Sequence, residues 1–437
     1  MTPPLVAAVE MGYGHLRAAR ALADALGTKV TLVDRAPIAG KEEQRLWRAS
    51  RRLYEIASRA AQLPGIGALL EALTSIPPLY PHRDLSAPTL QSRSLDRLID
   101  RGLGRGLARN LLETGAPLVT TFFAPALAAE RFGVEEIYCV ATDVDLNRTW
   151  APREPAKTRI NYLAPTRRAR RRLIAYGVPR ERIEVTGFPL PAERLGGEDL
   201  PILRRDLAAR LVRLDPKGVF REQVGSEIDH FLGDLPAEQE GRPPLAVFAV
   251  GGAGAQADLA AALLPTLRPL IEQGRLRLTL VAGVRPEVAA RFEWQVRAAG
   301  LESCLAPSLE STAGPAPKQP ISILLEADHD TYFDRFHALL ESADLLFTKP
   351  SEMVFFGALG LPLILTRPVG VHERYNRRWA VENGAGLKMR DPHHAGDWLR
   401  EYLTEGTLAA AAWFGYLRLP KFGLYRILER LGRREVP

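Results

Sequence analysis

The first side chain placed to do chemistry is a histidine at the end of a glycine turn. Gly12-Tyr13-Gly14-His15 follows the apolar run Leu5 to Val9 and precedes the Ala/Leu-rich segment Leu16 to Leu26. An imidazole, with an ordinary pKa near 6.5, can take a proton from an attacking hydroxyl at neutral pH. His15 is therefore a general-base candidate, with a purely structural histidine as the alternative. A second group, Ala141-Thr142-Asp143 with Asn147 and Trp150, stands where another apolar run ends. Asp143 there either orients His15, binds an acceptor hydroxyl, or closes an Asx turn. A third is Gly251-Gly252-Ala253-Gly254 behind Leu245 to Val250. Backbone amides without side chains can approach a diphosphate, and a helix start behind them adds a favourable dipole; the alternative is a plain strand-to-helix turn.

The fourth group is the longest. Thr348 to Gly386 reads TKPSEMVFFGALGLPLILTRPVGVHERYNRRWAVENGAG. The apolar run Ala343 to Phe347 ends at Thr348-Lys349-Pro350, and Ser351 is expected to cap a helix beginning at Glu352. Lys349, Ser351 and a positive helix end together suit an anion or a sugar. Beyond the Gly-Leu-Pro turn and a second strand lies the polar run His372-Glu373-Arg374-Tyr375-Asn376.

These groups need a scaffold that brings strand ends together. Short apolar runs alternate with helical patterns: Leu5 to Val9, Lys29 to Val33, Pro117 to Phe123, Glu136 to Ala141, Ile160 to Ala164 and Ile183 to Thr186 in the first half, then Leu245 to Val250, Leu276 to Ala282 and Ser322 to Leu325. Such alternation predicts an α/β fold with parallel sheets covered on both faces. Each half opens with a strand and a glycine turn, so two doubly wound, Rossmann-like domains facing a cleft are expected, binding ligands at the carboxyl ends of their strands. The divisions fall at residues 1–190, a charged helical linker or insertion at 191–240, a second domain at 241–405, and C-terminal helices at 406–437 that cross back to the first domain. Pro307 to Pro320 reads as a surface loop.

Composition narrows the class. The chain has 437 residues, 46% of them hydrophobic, enough for two folded domains. No apolar run reaches the roughly 20 residues that span a bilayer, and the opening MTPPLVAAVEMGYGH lacks a secretory pattern, so a cytoplasmic protein is expected. Cys139 and Cys304 are the only cysteines and read as buried free thiols, which leaves no cysteine-based metal site. The net charge of +7 suits phosphorylated ligands or an anionic surface. No aromatic RNA-binding motif or zinc spacing accompanies the arginines at 167–172 and 45–52, which argues against nucleic acid.

GYGH, ATDVDLNRTW, NYLAPTRRARRRLIAYGVPRERIEVTGFPL, the GGAG loop and the 348–386 stretch occur in an order and spacing that resembles two-domain glycosyltransferases of the GT-B fold. The chain is most similar to monogalactosyldiacylglycerol synthases and processive diacylglycerol glucosyltransferases, and more distantly to the peptidoglycan N-acetylglucosaminyltransferase. The likeness runs in patches over most of the chain and is strongest from Tyr162 to Pro189. It implies inverting, metal-independent transfer of a sugar from a nucleotide diphosphate, usually uridine, to a lipid or other hydrophobic acceptor held by the N-terminal domain. No cofactor is implied beyond that donor. By position His15 is similar to the family's base, Gly251, Gly252 and Gly254 to its phosphate loop, and Glu373 and Asn376 to polar residues near the donor sugar; Gly14, Lys349, Ser351, Glu352 and His372 complete the expected binding set. One position departs. The family's ribose-binding glutamate lies seven residues before the proline of the Gly-Leu-Pro turn, where this chain has Phe355, and Glu352 either substitutes for it or only caps its helix.

Lys41 to Gln62 mixes Leu46, Trp47, Leu53, Tyr54 and Ile56 with Arg45, Arg48, Arg51 and Arg52. It reads either as a basic amphipathic helix on an anionic membrane face or as a helix packed on its own domain. Two rivals to the transferase are a sugar-nucleotide epimerase on the same fold, for which no additional carboxylate motif is evident, and a catalytically silent nucleotide-sugar-binding protein, which Phe355 favours.

Overall fold

The computed structural model describes residues 2–60, 76–236, 242–249, 256–306 and 320–433. They form two compact units: Met1–Leu190 with Pro368–Asn376 and Phe422–Pro437, and Pro191–Arg367 with Arg377–Lys421. The helices of 191–236 thus group with the second unit and the last helix with the first. The division falls inside the Val371–Glu382 helix, after Asn376.

The first unit is built on six parallel strands: β1 (Leu5–Ala8), β2 (Thr31–Leu32), β3 (Leu118–Thr120), β4 (Ile137–Val140), β5 (Asn161–Ala164) and β6 (Ile183–Val185). Their order is β2-β1-β3-β4-β5-β6. The second has seven: β7 (Leu245–Ala249), β8 (Arg277–Gly283), β9 (Cys304–Leu305), β10 (Ile321–Leu325), β11 (Leu345–Thr348), β12 (Leu363–Leu365) and β13 (Gly386–Lys388), in the order β13-β12-β11-β7-β8-β10-β9. All strand pairings among the described residues are parallel, so the α/β expectation holds for both units.

The central strands are buried along their whole length, as a sheet covered on both faces requires: β4 and β7 have no exposed residue. Cys139 lies in that core, where burial pushes its thiol well up, whereas Cys304 is only half-buried on the edge strand β9, a difference from the expected pair of buried thiols.

Each strand order reverses once. In the first sheet the chain leaves β1 for β2 on one side and returns to β3 on the other, so the crevice lies at the carboxyl ends of β1 and β3. In the second it lies at the carboxyl ends of β7 and β11. Open α/β sheets take ligands at such points, because the crossovers diverge there and leave a groove.

Several loops are tied down by buried charges. Asp145 is fully buried and accepts from Arg172 Nε at 2.8 Å and Nη2 at 3.0 Å and from Arg168 Nε at 2.6 Å. Burial alone would lower the Arg172 pKa, but the bonds and charge of Asp145 outweigh it and leave it raised. Part of the arginine run at 167–172 is therefore structural. In the second unit the buried Arg210 donates to the carbonyls of Ala343, Leu359 and Gly360 at 2.9 to 3.0 Å.

The Lys41–Ala60 helix packs its first turns on its own unit. Trp47 is buried, Leu46 lines the first unit's core, and the buried Glu43 accepts the Gly104 and Gly106 N–H groups, while Arg45 and Arg48 are exposed. The side chains of Leu53, Tyr54 and Ile56 lie outside the described set, as does loop 307–319. No helix among the described residues is long and apolar enough to cross a membrane.

Candidate functional site

His15 is the third residue of the Tyr13–Ala25 helix, which starts after Gly12. Gly12 has φ 124°, a conformation that L side chains rarely adopt, so the sharp exit from β1 requires glycine there. The turn sets His15 over the carboxyl end of β3. Its Nδ1 lies 2.9 Å from the Thr121 carbonyl oxygen and 3.1 Å from Thr142 Oγ1, and Thr121 Oγ1 donates back to the His15 carbonyl at 2.8 Å. A carbonyl can only accept, so Nδ1 carries the hydrogen and Nε2 is the basic nitrogen of the neutral ring. The ring packs edge-on against Phe122, with centroids 4.6 Å apart, and lies 6.5 Å from Trp150. This places a tautomer-fixed imidazole at the reversal point of the first sheet.

Asp143 follows Thr142 in the loop after β4. The bonds that orient Nδ1 come from Thr121 and Thr142, whereas Asp143 Oδ1 accepts from Asn376 Nδ2 at 3.0 Å. Asn376 Oδ1 in turn accepts the Val144 N–H at 2.9 Å. Thus Asn376, 233 residues along the chain from Asp143, joins the same cluster. The loop is held further along as well: Thr166 Oγ1 donates to Val144 O at 2.8 Å, Tyr176 OH to Leu146 O at 2.9 Å, and Tyr162 OH to Trp150 O at 2.7 Å.

The first turn of the Val371–Glu382 helix carries three of the expected residues. Glu373 is buried and reaches back to the Val369 N–H at 2.7 Å, capping its own helix start. His372 is half-buried, its ring set against Gly370, where a Cβ would come within 2.8 Å of it. His15, Gly14, Asp143, His372, Glu373 and Asn376 all belong to the first unit.

Lys349, Ser351 and Glu352 belong to the second unit and lie just after β11, at that sheet's reversal point. The segment Glu352–Leu359 is a 3-10 helix with Ser351 at its N-cap, but the serine side chain makes no capping bond. The tight winding explains this. The Val354 N–H already bonds to the Ser351 backbone carbonyl at 3.2 Å, and Ser351 Oγ is left sealed and unbonded among the described residues. Glu352 is buried, with 6% of its surface exposed. Phe355 is core: it is 3% exposed and packs on Trp379 with ring centroids 5.2 Å apart. Gly251, Gly252 and Gly254 lie outside the described residues. Just after them Gln256 is tied to the end of β12, donating to the Arg367 carbonyl at 2.8 Å and accepting from Thr366 Oγ1 at 2.5 Å. Among the described residues no three His, Cys, Asp or Glu side chains gather as a metal site.

Sequence reasoning passed over Thr121 and treated Thr142 only as part of a loop. The available signal was a threonine at the end of each of two neighbouring strand runs, but the pairing of those strand ends with His15 is set by sheet order.

Residues 236–425 match the family described as a domain of unknown function, DUF6938. A search of curated proteins finds no match. Among solved structures, the chain is similar to MurG of Acinetobacter baumannii (14% identity, 98% of this chain and 99% of that one, TM-score 0.48). It is also similar to the glycosyltransferase SnogD of Streptomyces nogalater (16%, 99% and 99%, TM-score 0.47) and to UDP-GlcNAc 2-epimerase of Neisseria meningitidis bound to UDP-GlcNAc (13%, 83% and 88%, TM-score 0.43).

Proposed function

We propose that the protein is an inverting glycosyltransferase that moves a sugar from a nucleotide-diphosphate donor, a UDP-sugar in the first instance, to a lipid or other hydrophobic acceptor. The observation that carries this reading is the fixed imidazole of His15. With Nδ1–H committed to the Thr121 carbonyl, Nε2 is left as the proton acceptor. In the proposed step the acceptor hydroxyl oxygen forms a bond to the anomeric carbon as the bond from that carbon to the diphosphate oxygen breaks. The hydroxyl proton passes to Nε2, and the electron pair leaves with the nucleoside diphosphate.

The second unit is assigned the leaving group. Lys349 and the N-terminal N–H groups behind Ser351 are suited to the developing negative charge, with Gly251, Gly252 and Gly254 as the phosphate loop and Glu352 toward the nucleotide. His372 and Glu373 are assigned to the donor side, and Gly14 to the turn that brings the backbone close to the ligand. No metal is invoked in the step. A cytoplasmic protein, peripheral on the inner face of the membrane, fits a lipid acceptor, and the exposed Arg45 and Arg48 supply positive charge for that surface.

Isothermal calorimetry against UDP, GDP, ADP and CDP, followed by turnover with UDP-glucose, UDP-galactose and UDP-GlcNAc in the presence of diacylglycerol micelles, tests the proposal. Binding of none of the diphosphates would sink the donor site. The second reading, a silent nucleotide-sugar-binding protein, is favoured by Phe355 standing in the core where the resembling enzymes have a glutamate. It predicts binding without turnover. An epimerase would instead return an altered UDP-sugar with no acceptor present.

A further inference from the structure

Asn376 is fully buried in the first unit and both ends of its amide are used. Oδ1 accepts the Val144 N–H, and Nδ2 donates to Asp143 Oδ1. Only one orientation satisfies both, since the flipped amide would set NH2 against an N–H and a carbonyl against a carboxylate. Asn376 therefore locks the direction of the Asp143 carboxylate. The second carboxylate oxygen is different. Asp143 is half-buried, and its Oδ2 accepts no hydrogen bond from any described residue and is not among the sealed, unpartnered polar atoms. A buried amide thus holds one oxygen of an acid whose other oxygen is open, one residue from the threonine that contacts the His15 ring.

We propose that Asn376 is a positioning residue acting through Asp143, and that Asp143 Oδ2 is a binding point for a hydroxyl of the acceptor. The proposal rests on the transfer reading above. It moves Asn376 from the donor sugar, where the family resemblance sets it, to the acceptor side, and it assigns Asp143 to the substrate hydroxyl instead of to the orientation of His15. The ligand class is an alcohol: a carboxylate oxygen accepts from O–H, whereas it repels a phosphate. Asp143 then aligns the nucleophile that His15 deprotonates.

The full-length protein is tested as wild type, Asn376→Ala and Asp143→Asn. Amide exchange at Val144, read by NMR, rises about tenfold or more in Asn376→Ala because its acceptor is gone, and stays at the wild-type rate in Asp143→Asn. With a UDP-sugar saturating and diacylglycerol varied in mixed micelles, both variants raise the acceptor KM by about tenfold or more, the scale of one lost bond to a charged group. UDP affinity by calorimetry is unchanged in both. A fall in UDP affinity in Asn376→Ala would return that residue to the donor and overturn the proposal. So would an acceptor KM that neither variant moves. A wild type that turns over no donor would sink the transfer reading and the acceptor subsite with it, while the exchange measurement still reports separately whether Asn376 holds the loop.

Discussion

Thr142 Oγ1 lies 3.1 Å from His15 Nδ1 although 127 residues separate them in the chain. The contact joins the ends of two strands, β1 and β4, that are not neighbours in the sheet, with Thr121 from the intervening β3 supplying the other partner at 2.9 Å.

His15→Ala is expected to lower turnover by about 10²- to 10⁴-fold, the range of a positioned general base. Thr142→Val keeps the Thr121 bond and so lowers it far less. Imidazole ¹⁵N shifts provide the check: in wild type and in Thr142→Val they report hydrogen on Nδ1. Wild-type activity in His15→Ala would remove the base assignment.

Removing Asp145 is expected to destabilise the first unit by about 3–5 kcal/mol, because it leaves the sealed Arg172 guanidinium without its carboxylate, whereas Arg172→Met is expected to cost less, since Asp145 keeps Arg168 as a partner. Urea unfolding of Arg172→Met and Asp145→Leu measures each loss. The double variant is expected to recover part of it, since an apolar pair carries no desolvation penalty.

Phe355→Glu, which introduces the residue type that the resembling glycosyltransferases carry at that position, is expected to lower stability without raising activity. The position is filled by core packing against Trp379, and a carboxylate there would be taken out of water. Phe355→Ala, measured by thermal unfolding, should cost about 3–5 kcal/mol from lost packing and the cavity left behind.

Lys421 provides a pH test. Burial pulls its amine down to about 8, and Nζ donates to the carbonyls of Tyr416 and Leu419. Because the folded-state pKa lies below the unfolded value of 10.5, the unfolded chain holds more protons between the two, and stability from this residue rises with pH over about 8 to 10.5. The penalty is fully present below about 8. Lys421→Met is thus expected to gain most on wild type near pH 7 and least near pH 10. A difference that does not change with pH would refute the depressed amine.

The alternation of short apolar strands with helical patterns made both parallel sheets legible, since strands buried on both faces must read as continuous apolar runs. Local turn chemistry was legible too, in the strand, glycine turn and helix that set His15. What local reading misjudged were matters of packing: Ser351 read as a capping side chain, but the 3-10 winding gives that N–H to a backbone carbonyl. Cys304 read as buried, but it sits on an edge strand.

The sequence by itself determined the α/β class, the repeated strand-turn-helix units and the residue types able to carry transfer chemistry, because these follow from periodicity and from what each side chain can donate or accept. Only the tertiary structure decided which of them meet. The strand order sets His15 beside Thr121 and Thr142, and the Val371–Glu382 helix brings Asn376 to Asp143 across 233 residues. No local pattern encodes those bonds, since they depend on which strand ends lie side by side.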